Sequence, residues 1–122
     1  MLISAAILDE TLAPVFEYHT EINPQRIFML AEDRETEAHQ RGVEWSINRI
    51  NLAGKHFVDA GAASSADATV LQNEIENIVV ALWVYQSLFM NVKAKSFTKA
   101  NLELKISSNG TVQSTSHSNN FD

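Results

Sequence analysis

Residues 66–92 read ADATVLQNEIENIVVALWVYQSLFMNV, and Leu71, Ile75, Ile78, Leu82 and Phe89, joined by Val79 and Tyr85, recur within them at helical spacing. The stretch predicts a long helix whose two halves differ. Up to Asn77 the positions off the stripe are Gln72, Asn73, Glu74 and Glu76, as a solvated face requires; beyond it Val80, Ala81, Trp83, Val84, Leu88 and Met90 leave the helix apolar all round. A helix apolar on every side must be buried on every side. Each such side chain left wet forfeits ~1.5–3 kcal/mol of burial. Either the terminal segments of the chain cover Val80, Trp83, Val84, Leu88 and Met90, or these residues form a subunit interface.

Upstream, residues 58–65 (VDAGAASS) are small and predict a loop between antiparallel helices. Ser64 or Ser65 is the expected cap of the long helix, with Asp67 adding negative charge at its positive end. Residues 25–55 predict a second helix, with a charged centre around Glu32, Asp33, Glu35 and Glu37 and an apolar stripe of Val43, Ile47 and Ile50. Gly42 within it costs about 1 kcal/mol against alanine and marks a kink, a break or a close helix contact. Asn23-Pro24 marks the helix start, since proline fits the first helical position. From Val15 to Ile22 the period is two, with Phe16, Tyr18, Thr20 and Ile22 on one face, which predicts an extended segment or edge strand. Residues 4–13 predict a short helix with Ile3, Ala6 and Ile7 on one side, ended by Pro14.

Downstream, Lys93, Lys95, Lys99 and Lys105 cluster with Glu103 as the sole acid among them. They suit a contact with something negative, or a helix C-terminus complemented by lysine followed by a solvated strand face. Leu102, Leu104 and Ile106 alternate with polar residues, and Asn109-Gly110 leads into a second extended run, which predicts a hairpin. The expected fold is therefore mainly α: an antiparallel helix pair or small helical bundle over residues 1–113, with a C-terminal β-hairpin or extended arm and room for a short N-terminal strand. Residues 114–122 (STSHSNNFD) are expected to form a flexible polar tail.

The 122 residues carry 9 Lys+Arg against 15 Asp+Glu, a net charge of −6, and no cysteine. One domain's worth of chain without thiols excludes disulfide scaffolds and Cys-ligated metal sites. The acidic balance argues against a protein that coats nucleic acid. No basic segment precedes the apolar residues 1–8, and Asp9-Glu10 follow at once, so a secretory signal is not expected. The longest apolar run, residues 78–85, falls short of the ~20 residues a bilayer requires.

Glu32, Glu35 and His39 have metal-compatible helical spacing, but the long helix offers only Glu74 and Glu76 and no matching histidine. A solvated face explains the cluster better. No nucleophile elbow or phosphate loop occurs, and His19, His39, His56 and His117 lie on unrelated segments. Neither an enzyme nor a cofactor is expected. Trp83, Tyr85, Phe89 and Met90 read as core or interface, with Trp45 as a packing partner.

An acidic helix, a small-residue loop, a long apolar helix ending at Phe89-Met90-Asn91, then a lysine-bearing segment and a polar extended end: over residues 33–116 this order resembles the head-to-tail connector (adaptor) proteins of tailed bacteriophages. The resemblance implies a ring-forming structural virion protein of the neck, assembled in the host cytoplasm, that joins portal to tail and lines the DNA path. Its implied partners are further copies of itself, portal and tail proteins, and DNA passing without sequence-specific binding; no membrane is implied. Under it, Val80, Trp83, Val84, Leu88 and Met90 are subunit contacts. Lys93, Lys95, Lys99, Leu102, Leu104 and Ile106 form a partner-binding arm, and Glu32, Asp33, Glu35 and Glu37 an acidic channel face. The alternative is a small acidic regulatory or inhibitory protein that binds a host protein.

Overall fold

Ile3, Ala5 and Ile7 are buried while Leu2 and Ser4 are exposed, which is the period of a strand. The computed structural model describes residues 1–63, 67–92 and 100–118, and in it Leu2–Leu8 is β1, a central strand. Pro14–Glu21 is β2, and then three helices follow: α1 (Pro24–Arg41), α2 (Val43–Ala62) and α3 (Ala68–Phe89). Ala100–Ser107 is β3 and Val112–Ser118 is β4. The strands form one mixed sheet in the order β2-β1-β3-β4, with β1 antiparallel to β2 and parallel to β3.

This overturns the expectation of a mainly helical bundle. The chain is an α/β sandwich, three helices packed on one face of a four-stranded sheet. The short N-terminal helix predicted from Ile3, Ala6 and Ile7 is a strand that buries Ile3, Ala5 and Ile7 instead. A helix this short cannot offset the cost of its own nucleation, whereas β1 gains a hydrogen-bonded neighbour on each side. The predicted C-terminal arm is not an appendage either. Leu102, Leu104 and Ile106 face the helices from the sheet, all but inaccessible to solvent. Strand β4 runs on to Ser118, through five residues assigned above to the tail, while residues 119–122 lie outside the described residues.

The strand over Val15–Ile22 and the helix start at Asn23-Pro24 are found where expected. Asn23 caps α1 by accepting from the Gln25 N–H at 3.0 Å. The single helix predicted over residues 25–55 is two helices, because Gly42 adopts φ +94°, a left-handed conformation that ends one helix and admits the next without a loop. The loop predicted at residues 58–65 is in large part the last turns of α2, which reaches Ala62. Its close approach to the sheet explains the small residues: a Cβ on Gly61 would stand 3.0 Å from Ile7 Cδ1 and 3.3 Å from the Phe16 ring. Ser64 and Ser65, the expected caps, lie outside the described residues, and Asp67 caps α3 by accepting from the Val70 N–H at 2.9 Å. Asp67→Ala should lower stability by about 1 kcal/mol, measured by urea unfolding.

Helix α3 is the spine of the helical layer. Its N-terminal half is fastened to β2, where the Tyr18 hydroxyl donates to the Ala68 carbonyl at 3.3 Å, Gln72 Nε2 donates to the Glu21 carbonyl at 3.3 Å, and Thr20 Oγ1 bonds Gln72. Buried Glu76 is met by Arg26 Nε of α1 at 2.8 Å. Phe28 of α1 packs on Trp83 at 5.3 Å between ring centroids. Ile75, Ile78, Val79 and Val80 are fully buried.

At the end of the sheet where β1 and β3 finish, the Asp9–Ala13 turn is built round one carboxylate. Asp9 Oδ1 accepts from Thr11 N–H at 2.8 Å, Thr11 Oγ1 at 2.7 Å and Ala13 N–H at 3.0 Å. Led by the Thr11 hydroxyl, these donors hold the Asp9 carboxyl below the usual carboxylate range. The charged form is the one the turn uses, so its contribution is complete above the ordinary aspartate pKa of ~3.9 and is lost as pH falls through the lowered folded value. Amide protection at Thr11 and Ala13 should accordingly disappear in acid and return on neutralisation, as read by NMR hydrogen exchange.

Candidate functional site

Helices α1 and α2 diverge from Gly42 and both pack on α3, leaving between them a groove floored by Asn77, Ala81 and Val84. One part, of about 200 Å³, is lined by Arg34, Glu37 and Ala38 of α1 and by Trp45, Ser46 and Arg49 of α2. The adjoining part, of about 180 Å³, shares Arg34, Arg49 and Ala81 and continues to Leu52, Ala53 and His56. Ala81 and Val84 make the middle of the floor apolar, with Asn77 toward one end; the charge stands on the walls. Ser46 is held out of the ligand space, since its hydroxyl donates to the Gly42 carbonyl at 2.9 Å and ties the first turn of α2 to the break.

Arg34 and Arg49 come from different helices and meet across this groove. Among the described residues neither takes part in a salt bridge, in a chain with six more acids than bases. Arg49 stacks on Trp45 with its guanidinium 5.6 Å from the ring centroid, which orients the cation without neutralising it. Acids mark the two ends: Glu37 lies near the closed end, and Glu74 lies beyond the other, its Oε2 buried without a hydrogen-bond partner and 3.9 Å from His56 Nδ1. The positive region is thus confined to the middle, over Ala81 and Val84, a layout that fits one carboxylate flanked by apolar groups.

The residues singled out from the sequence are placed elsewhere. Glu32, Asp33 and Glu37 are exposed and Glu35 half-buried; they spread round the solvated side of α1, and only Glu37 touches the groove. His39 is exposed, and among the described residues no group of three or more His, Asp or Glu side chains is arranged to hold a metal ion. Val80, Trp83 and Val84 are buried within the single chain, Leu88 is half-buried and Met90 is 56% exposed. Lys93, Lys95 and Lys99 lie outside the described residues, and Leu102, Leu104 and Ile106 are core. No helix among the described residues is long and apolar enough to cross a membrane.

On the opposite face of the protein Ser4 Oγ and His19 Nδ1 stand 3.1 Å apart on neighbouring strands. Strand β1 is bonded to β2 on one side and β3 on the other, so its N–H groups are engaged in the ladders rather than available to an oxyanion.

Comparison with protein-family models, curated proteins and solved structures finds no match to this chain.

Proposed function

We propose that this chain is a protein-binding module that captures an acidic segment of a partner protein in the groove between α1 and α2. The observation that carries the reading is the convergence of Arg34 and Arg49, without salt-bridge partners among the described residues, over Ala81 and Val84 and beside Trp45. A carboxylate bound there makes charge-assisted hydrogen bonds to one or both guanidiniums, and flanking apolar side chains pack on Ala81, Val84 and Leu52. The reading belongs to the regulatory class weighed above, with the working surface moved from the acids of α1 to the arginines beside them. The connector role draws less support: three of the five side chains offered there as subunit contacts are covered within the chain, and three of the six arm residues fill its core.

Panning a random peptide display library against the wild-type protein, with the Arg34→Ala/Arg49→Ala double variant as counter-selection, tests the proposal. Peptides rich in Asp or Glu next to a large apolar residue are the expected yield. Recovery of peptides without acidic enrichment, or of peptides the double variant binds equally well, would overturn it.

A further inference from the structure

The sheet face turned away from the helices carries a charge pattern. Across β2-β1-β3, one row reads His19–Ser4–Glu103 and the next on the same face reads Glu17–Ala6–Lys105. Each row changes character from one side of β1 to the other, and the two rows change in opposite senses. Along the midline the small residues Ser4 and Ala6 leave a trough of about 430 Å³, which Leu8, Leu12 and Pro14 close at the turn end. Leu12 is 74% exposed on a turn that holds it at φ +68°, an unusual backbone conformation for leucine. Strand β1 itself reads LISAAIL, the near-continuous apolar run of a strand covered on both faces, and its parallel pairing with β3 is of the kind that is ordinarily so covered.

We infer that a second copy of this chain covers this face, the two sheets packing face to face about a two-fold axis that runs along β1. That rotation exchanges the β2 side with the β3 side. Glu17 of each copy then stands opposite Lys105 of the other, and His19 opposite Glu103, while Ser4 and Ala6 meet along the axis. Stacking like over like would set Lys105 on Lys105, which the two-fold avoids. A two-fold across the strands would lay the apolar turn end over Leu2 and Glu21, whereas the axis along β1 lays Leu8 on its own copy and Pro14 over the end of β3. Lys105 already lies 3.8 Å from Glu103 on its own strand; the pair is exposed, and Lys105 gives it up for Glu17 of the other copy at little cost.

The three strands that overlap about this axis, ~4.8 Å apart and about seven residues long, give a footprint on the order of 330 Å² per copy, well below a standard interface, so a weak, concentration-dependent dimer is expected. The contact uses the layer opposite the α1–α2 groove, so the dimer presents two such grooves outward and does not depend on what they bind.

Sedimentation velocity from about 1 μM to 500 μM, a span matched to micromolar affinity, tests the arrangement. Wild type should pass from monomer to dimer. Glu17→Lys or Lys105→Glu alone should weaken the dimer at least about tenfold, and the double variant E17K/K105E should return to within about threefold of wild type, the signature of a direct pair. Unchanged circular dichroism and melting of the monomers keep folding out of the comparison. A wild type that stays monomeric throughout, single variants that dimerise like wild type, or a double variant no better than the singles would each overturn the inference.

Discussion

Gly54→Ala should destabilise the protein by about 3 kcal/mol, although alanine at an exposed mid-helix position normally gains about 1 kcal/mol over glycine. The reason is the contact between α2 and the β3–β4 turn. A Cβ at Gly54 would stand 2.1 Å from the Gly110 carbonyl oxygen and 2.6 Å from Val112 Cγ2. Val112 can rotate away, but the carbonyl is backbone, so the whole turn must leave α2. The turn is fixed from the other side as well: a Cβ at Gly110 would meet Lys55 N at 2.7 Å and Asn51 O at 2.8 Å, and Gly110 sits at φ +94°. The Asn51 side chain then accepts from the Val112 N–H at 3.3 Å, joining the layers where the two glycines touch. For a chain of this size a loss of about 3 kcal/mol corresponds to a fall in Tm of roughly 10–15 °C. Calorimetry of Gly54→Ala beside Gly42→Ala checks this. Gly42 has a positive φ but nothing within 4 Å of its would-be Cβ, so its variant should lose only what backbone strain costs in this extended positive-φ region, about 1–3 kcal/mol, with no contact displaced. A Gly54→Ala protein more stable than wild type would mean that α2 does not press on the turn.

The parts legible in the sequence are those where a single local pattern suffices. The stripe through α3, the Asn23-Pro24 start, the alternation from Phe16 to Ile22 and the Asn109-Gly110 turn each name their element without help from elsewhere. The N-terminal strand is ambiguous because Ala5 and Ala6 are the same residue. Ile3-Ala6-Ile7 satisfies a helix and Ile3-Ala5-Ile7 a strand, and only pairing with β2 and β3 decides between them. Reading that segment as helix removes a central strand, which turns the β3–β4 hairpin into an apparent arm. It also leaves α3 with more apolar surface than two helices can cover, so that a second subunit is offered beside the terminal segments as cover for Val80, Trp83 and Val84, which the chain buries itself.

The groove is hidden by the same kind of non-local decision, made at Gly42. On one unbroken helix Arg34 and Arg49 would stand roughly 22 Å apart at 1.5 Å per residue. Once Gly42 turns the chain and both helices pack on α3, the two guanidiniums line one cleft. The local signal is present in part. Trp45 and Arg49 are four apart on α2, the spacing of facing side chains, and they do stack. Nothing in the residues alone places Arg34 opposite them.

Removal of both guanidiniums should therefore have the second large effect. A charge-assisted hydrogen bond is worth about 1.5–3 kcal/mol, so each single alanine variant should weaken an acidic peptide roughly tenfold to a hundredfold. The double variant should abolish measurable binding. Arg34→Lys and Arg49→Lys should recover only part of the loss, because an ammonium keeps the charge but not the planar fork, and an ammonium at position 49 does not stack on Trp45 as a guanidinium does. All four single variants should melt within a few degrees of wild type, since neither arginine is buried or in a salt bridge among the described residues.

The central claim is that Gly42 folds α1 and α2 into one anion-reading groove, and it is tested most directly by following the arginine side-chain Nε–H resonances by NMR while a glutamate- and aromatic-rich peptide is titrated in. Arg34 and Arg49 should shift together along one saturable curve with the Trp45 indole, while exposed Arg41 stays in place; curves that differ between Arg34 and Arg49, or shifts of equal size at Arg41, would contradict a single shared site.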